Sequence, residues 1–282
     1  MGVVLRQAVV FLVSVMITPA AAGAAFERDL GGAASAAMAG TSAGRRPVLG
    51  DVLGSPAGFG WARSVPLSAT SGCLYGIDDL GWWSVGGGRV LGWGTLGAWA
   101  SELGRGRYRE LHFGISCGIR RSRGGCGARL RVLSLAVEGL GSRTSVVWDL
   151  GFLERVTDRW TVGIVVTGLD SGLGGLGRES VPRGLTLGWS YEAPGDVEAC
   201  LDLEQGAGRA RRTRIAVEVP LGRAAFVRAG RVAEPAEVCL GFGLRRGSLG
   251  VDTAVRWHAV LGFSYRTSVL LGIPALIHGE EG

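Results

Sequence analysis

The sequence has no lysine and no asparagine; all of its 30 basic residues are arginine, and it has only three histidines. The three, His112, His258 and His278, have no metal-ligand spacing with Cys, Asp or Glu. The five cysteines, Cys73, Cys117, Cys126, Cys200 and Cys239, are odd in number and contain no C-x-x-C pair, which argues against a zinc or redox site. Cys117 and Cys126 flank a tight turn and either face each other across it or serve as small apolar wall residues. Beyond the N-terminus no apolar run reaches 18 residues, so helical membrane spans are excluded. The formal charge of +6 is modest and spread along the chain, unlike the clustered footprint of a nucleic-acid binder. No nucleophile has a base and an orienting acid beside it. Ser116 and His112 share a strand face, but no third partner can be assigned to them, so an enzyme is not expected and no cofactor is implied.

What is abundant is glycine: 50 of 282 residues, about 18%, against a usual share of about 7%. There is no collagen-like period, and the apolar content of 47% is too high for a disordered chain. Glycine costs roughly 1 kcal/mol relative to alanine in a helix, so this composition points to β structure with tight turns.

The N-terminus has one charge, Arg6, then the apolar run from Ala8 to Ile17, then small residues from Pro19 to Ala25. This is the order of a secretory signal peptide, with cleavage expected after Ala24; a buried N-terminal helix is the alternative. The expected division is a signal peptide over 1–24, a plug-like segment over 25–62, a β domain over 63–273 and a C-terminal tail over 274–282.

Across the β domain, residues alternate with period two. Leu111, Phe113, Ile115, Cys117 and Ile119 share one face, while His112, Gly114, Ser116 and Gly118 share the other. Similar alternation marks 197–204, 214–219, 238–245 and 249–257. A one-residue slip would invert each pattern, so one apolar environment is implied. The alternation predicts fourteen strands: 65–74, 80–88, 91–101, 108–120, 125–137, 144–153, 158–168, 181–191, 196–205, 212–220, 223–231, 236–245, 248–257 and 261–272. Many are near the ten residues that a tilted strand needs to cross a bilayer. Every second connection is short: near 89–90, then 121–124, 154–157, 192–195, 221–222 and 246–247. The other set holds the longer ones, 102–107, 138–143 and 169–180. That parity matches the short periplasmic turns and longer outer loops of bacterial barrels. Trp99, Tyr108, Trp160, Trp189, Tyr191 and Trp257 lie near expected strand ends, where an aromatic belt would place them. A soluble secreted all-β protein is the alternative, with the apolar face turned to a protein core.

On the presumed lumen face, Glu198, Asp202, Glu204 and Glu218 share faces with Arg212, Arg214, Arg228 and Arg256. This predicts cross-strand pairing in a mixed-charge interior, each pair contributing roughly 0.2–1 kcal/mol. Either a filled polar interior or a selective pore is consistent with it.

Residues 30–59 read LGGAASAAMAGTSAGRRPVLGDVLGSPAGF. They resemble the start of FadL-like outer-membrane proteins, including PorV-type barrels of type IX secretion, where a small-residue segment precedes an N-P-A-G-[LMF] motif. Pro56, Ala57, Gly58 and Phe59 match the motif, with Ser55 in place of Asn. The end, Leu261 to Leu271, resembles the last strand of PorV-like proteins. The resemblance implies a 14-stranded transmembrane barrel in outer-membrane lipid, with the segment around Ser55–Phe59 tucked inside as a hatch; a flexible periplasmic linker is the other reading of that segment. It also implies passive passage of a small hydrophobic or amphipathic molecule, or a scaffold for an exported protein or envelope partner. Departures from the pattern are the short chain, Arg45-Arg46 where an acidic pair is frequent, and the ending IPALIHGEEG in place of a terminal aromatic.

Overall fold

Alternating apolar residues in runs of about ten, separated by glycine-rich turns, form antiparallel hairpins, and these close on themselves. The computed structural model describes residue 26 and residues 31–46, 53–174, 181, 183–207 and 210–272. The expected signal peptide over 1–24 and tail over 274–282 lie outside them.

Fourteen antiparallel strands make one closed barrel in which each strand pairs with its sequence neighbours and the first with the last. They are β1 (Leu67–Cys73), β2 (Gly81–Leu91), β3 (Gly94–Leu103), β4 (Tyr108–Arg121), β5 (Gly124–Val137), β6 (Gly141–Arg155) and β7 (Trp160–Gly174), then β8 (Gly184–Glu192), β9 (Glu198–Gly206), β10 (Arg212–Leu221), β11 (Ala225–Val232), β12 (Glu237–Arg246), β13 (Leu249–His258) and β14 (Gly262–Leu271). A short 3₁₀ turn, Asp78–Leu80, joins β1 to β2. Closure leaves no sheet edge, the condition for a sheet to stand in hydrocarbon.

The alternation resolves into an outside and an inside. Leu111, Phe113, Ile115 and Ile119 are exposed, while His112 and Ser116 between them are buried. The same holds for Leu240, Phe242 and Leu244 on β12, and for Phe263, Tyr265 and Val269 on β14. An apolar outer wall around a polar interior is the inverse of a soluble sandwich and excludes that alternative. Among the described residues no helix is long and apolar enough to cross a membrane; the crossing elements are strands.

Three expectations are corrected. The turn expected near 89–90 is at Gly92-Trp93, because Arg89 and Val90 still pair with Leu96 and Thr95; the glycine run Gly86–Gly88 reads as a strand end but stays in the ladder. The longer loop expected over 138–143 shrinks to 138–140, since β5 and β6 pair as far as Val137 and Gly141. Gly139 and Gly141 supply the positive φ that this tight reversal needs. Trp99, expected in a lipid-facing belt, faces inward and is buried, because Thr95, Gly97, Trp99 and Ser101 form the inner row of β3. Trp160 and Trp257 are outward and exposed near strand ends, with Trp160 tilted against Tyr191 at 4.8 Å between ring centroids. Part of the expected 169–180 loop lies outside the described residues.

The connections Gly92-Trp93, Ser122-Arg123 and Gly247-Ser248 share one end with the start of β1 and the end of β14. Short turns mark the periplasmic end of such barrels.

Candidate functional site: the lumen and the segment inside it

The N-terminal segment lies within the barrel. Helix α1 (Ala33–Ala37) is wholly buried, as are Met38, Ala39 and Ala43. Its alanines pack against Ala254 of β13, and Met38 packs against Cys200 and Ala216. Small side chains are needed here because the backbone itself touches the wall. A Cβ on Gly163 or Gly188 would collide with the backbone of Ala43 and Gly44. Much of the high glycine content therefore serves a close approach between wall and segment, a role that composition alone assigns to turns.

The wall grips this segment by its backbone. Ser268 Oγ accepts from the Ala33 amide at 2.7 Å, and Asp202 Oδ2 accepts from the Ser42 and Ala43 amides at 2.8 and 3.2 Å. Arg266 donates to the Gly31 carbonyl at 3.0 Å, Arg214 to that of Gly40 at 3.4 Å, and Ser190 to that of Gly44 at 2.8 Å. Arg129 donates to the Gly54 carbonyl and stacks over Trp99. Backbone groups of a non-regular segment inside a membrane protein need such partners, since no lipid can supply them.

Ser55 to Phe59 form a second wedge, α2 (Pro56–Phe59). Ser55 Oγ accepts from the Gly58 amide at 3.4 Å as an N-cap, and Pro56 takes the first helical position, where its missing N–H costs nothing. Ala57 packs on Trp61 and Leu153, and Phe59 on Trp99. A Cβ on Gly118 or Gly127 would strike the Pro56 carbonyl.

The charges of the lumen fall into two groups. One pairs within the wall: Arg214 with Glu204; Arg228 with Glu218 at 2.5 Å and with Asp252 at 2.7 Å; Arg245 with Asp252 at 2.7 Å; Arg256 with Glu237 at 3.2 Å; and Arg131 with Asp149 at 2.7 Å. The pairing of Arg214 is diagonal, since the residue directly opposite is Asp202, which holds the segment's amides instead. Arg212 departs from the expectation. It sits at the barrel rim, where its Nε donates to the Glu234 carbonyl at 3.1 Å, and among the described residues it carries no lumen pair.

The second group joins wall to segment. Glu198 and Glu218 stand directly opposite each other across β9 and β10, a like-charge arrangement that is destabilising by itself. Arg45 of the segment forms an ion pair with Glu198, and its guanidinium lies within the field of Glu218. Arg45 and Glu198 side chains are 5% and 15% exposed. The Arg45-Arg46 pair thus has a structural use: Arg46 meets Glu192 at 3.5 Å and lies over Trp61. Asp149, Asp252, Glu237, Arg129, Arg131, Arg245 and Arg266 were not singled out in the sequence. Their signal in the sequence is a charge at an inward position of an otherwise apolar or glycine-rich strand.

At the opposite end of the lumen, Phe26 fills an apolar pocket of Leu133 and Val147, flanked by Leu135 and Val181. Its ring meets His112 edge-on at 5.1 Å, and its amide donates to Glu110 Oε1 at 3.3 Å. All five cysteines are free thiols; Cys117 and Cys126 pair in register with Ala128 and Ile119, not with each other. Among the described residues no cluster of three or more His, Cys, Asp or Glu is placed to hold a metal ion.

These features define a transmembrane β-barrel with its lumen occupied by its own N-terminal segment. The fold is that of the FadL-type barrels. The monoaromatic hydrocarbon channel CymD superposes with a TM-score of 0.65 at 12% identity, over 86% of this chain and 98% of that one. The toluene transporter TbuX of Ralstonia pickettii gives 0.60 at 13% identity, over 85% and 96%. A FadL homologue from Pseudomonas aeruginosa gives 0.60 at 13%, over 86% and 98%. No family model and no curated protein matches the chain.

Proposed function

We propose that this chain is an outer-membrane channel that gives passive passage to small hydrophobic molecules of monoaromatic size, with the N-terminal segment as its hatch. The observation that carries the reading is the Phe26 pocket. A benzyl side chain of the protein itself occupies an apolar pocket at the loop end of the lumen, so the pocket already accepts an aromatic ring. Such a pocket is the usual form of a small-molecule site, apolar with a few polar groups to orient the ligand. The lumen charges are paired or hold the segment, which suits a filled interior and not an ion-selective pore. A ring that replaces Phe26 removes an anchor of the segment, and so couples binding to movement of the hatch. Structural likeness to CymD and TbuX supports a hydrocarbon substrate.

The test is toluene uptake by cells whose outer membrane carries the chain, compared with Phe26→Ala and Phe26→Trp variants. The reading expects faster uptake with the emptied pocket and slower uptake with the overfilled one. Identical uptake by all three, or none above cells lacking the chain, overturns it and returns attention to a scaffold role with an exported partner.

A further inference from the structure

Buried hydroxyls of the lumen wall commonly have partners. Ser68 donates to the Gly86 carbonyl at 3.2 Å, Thr70 and Ser268 bond to each other at 2.8 Å, Ser116 accepts from Arg129 at 2.9 Å, and Ser264 accepts from the Tyr75 amide at 2.9 Å. The lumen face of β2 and β3 is different. Trp82 Nε1, Thr95 Oγ1, Trp99 Nε1 and Ser101 Oγ are buried there with no hydrogen-bond partner in the protein. Among the described residues, every neutral side-chain donor of a barrel strand in this condition lies on these two strands. A buried donor without a partner opposes folding, so four on one face call for a reason.

Thr95, Gly97, Trp99 and Ser101 form the inner row of β3. Residues on one face of a strand recur about every 6.7 Å, so the row runs about 20 Å along the lumen. Its loop end adjoins the Phe26 pocket, since Ser101 stands opposite His112, whose ring Phe26 meets edge-on. Its periplasmic end is a cleft of about 330 Å³ lined by Gly60, Val90, Thr95 and Arg120. Val90 pairs with the inward Thr95, so this cleft opens to the lumen. Between the two ends lies a ring of the segment. A Cβ on Gly97 would stand 2.6 Å from Phe59 Cζ, so the missing side chain of Gly97 is the seat of the Phe59 ring. An aromatic ring thus already rests on the row, with the unpartnered Thr95 and Trp99 on either side of it.

We propose that the inner row of β3 is the track along which the permeant binds, and that it favours monoaromatic molecules bearing a neutral hydrogen-bond acceptor, such as aryl ketones, over the bare hydrocarbon. When α2 withdraws, the ring of the permeant takes the Phe59 seat on Gly97, and its oxygen accepts from Trp99 Nε1 or Thr95 Oγ1. Ser101 and Trp82 offer the same bond nearer the Phe26 pocket. An indole N–H only donates, so the partner that Trp82 and Trp99 lack is an acceptor. A neutral acceptor fits better than a carboxylate, because the cation stacked on Trp99 is already committed: Arg129 bonds Ser116 and the Gly54 carbonyl and faces Asp149 at 3.7 Å. The proposal rests on the reading of the chain as a monoaromatic channel and narrows its substrate class.

The test compares acetophenone with cumene, which match in ring and in number of non-hydrogen atoms and differ in the carbonyl. Net uptake is that of cells whose outer membrane carries the chain less that of cells lacking it, at low concentration. Acetophenone should exceed cumene about fivefold, the factor that one neutral hydrogen bond carries. Trp99→Phe and Thr95→Val should each lower that ratio, chiefly by slowing acetophenone, whereas Ser68→Ala, whose hydroxyl already has a partner, should leave it intact. Thr95→Val should also hold or raise the midpoint of thermal unfolding of the refolded barrel, because it replaces an unpartnered buried hydroxyl with a methyl group. Equal net uptake of the two compounds, a ratio unmoved by both Trp99→Phe and Thr95→Val, or a lowered midpoint in Thr95→Val overturns the proposal, while toluene uptake by the same cells still upholds the channel. No net uptake of acetophenone, cumene or toluene overturns the channel reading and the proposal with it.

Discussion

Arg45 offers the sharpest perturbation, because it makes the interior of the barrel complete in charge only when the segment is inside. Consider Arg45→Met, which keeps the length of the side chain and deletes its charge. Glu198 then faces Glu218 across the ladder without the cation that joins them. Removing one partner of a buried ion pair costs about 3–5 kcal/mol, chiefly for the charge left behind. Glu218 retains Arg228 at 2.5 Å, and Glu198 is 15% exposed, so the lower end applies, about 3 kcal/mol. The cost falls on the segment, since the wall keeps its own ladder. Hydrogen exchange of the peptide spanning 31–46 is the assay, because the Ser42 and Ala43 amides are bonded to Asp202 in the docked state alone. Their exchange should accelerate about a hundredfold, at roughly 1.4 kcal/mol per decade. Adding Glu198→Gln to Arg45→Met should recover most of the protection. If the two substitutions act additively within about 0.5 kcal/mol, the wall carboxylate and the segment are not coupled and the reasoning fails.

Other substitutions probe separate links. Gly163→Val places a branched side chain against Ala43 and should loosen the segment by about 1–3 kcal/mol while the barrel still forms, seen as new protease cleavage within 31–46 and an unchanged β circular-dichroism spectrum. Phe113→Arg, at a lipid-facing position midway along β4, should lower the stability of the refolded barrel by about 2–4 kcal/mol in a denaturant titration, whereas Arg109→Gln at the rim should cost under about 1 kcal/mol. Ser55→Ala removes the α2 cap and should cost about 1 kcal/mol, with Ser55→Asn restoring it, read by the same titration.

The barrel was legible in the sequence because lipid on one side and a polar lumen on the other impose strict alternation. Each of the fourteen expected strands corresponds to an observed one, and the errors are confined to ends. Those errors have physical causes. Gly86–Gly88 carry no side chain to report a face, so the sequence reads as a strand end there, while backbone pairing continues to Leu91. Trp99 reads as interfacial in the sequence because indoles favour headgroups, but its parity with Thr95 and Gly97 puts it in the lumen beside Phe59. The lumen charges were visible as inward parity, yet their partners were not. Cross-strand reasoning reaches Arg214 and Glu204 but cannot reach Arg45, which arrives from a segment some 150 residues away in sequence. The use of wall glycines at Gly163 and Gly188 was likewise hidden, because a glycine that admits another backbone looks the same in sequence as a glycine that makes a turn.

The central claim is that the segment must shift for a hydrophobic molecule to pass. A Cβ on Gly230 would stand 2.9 Å from that of Ala39, inside the roughly 3.5–4.5 Å that a disulfide spans, so an outward shift of the segment by about 0.6 Å or more seats the bond. Ala39→Cys with Gly230→Cys therefore ties the segment to β11. Toluene uptake should be measured in cells that carry this pair, first oxidised and then reduced. The account predicts uptake near background when the bond is closed and recovery on reduction. Equal uptake in both states would contradict it.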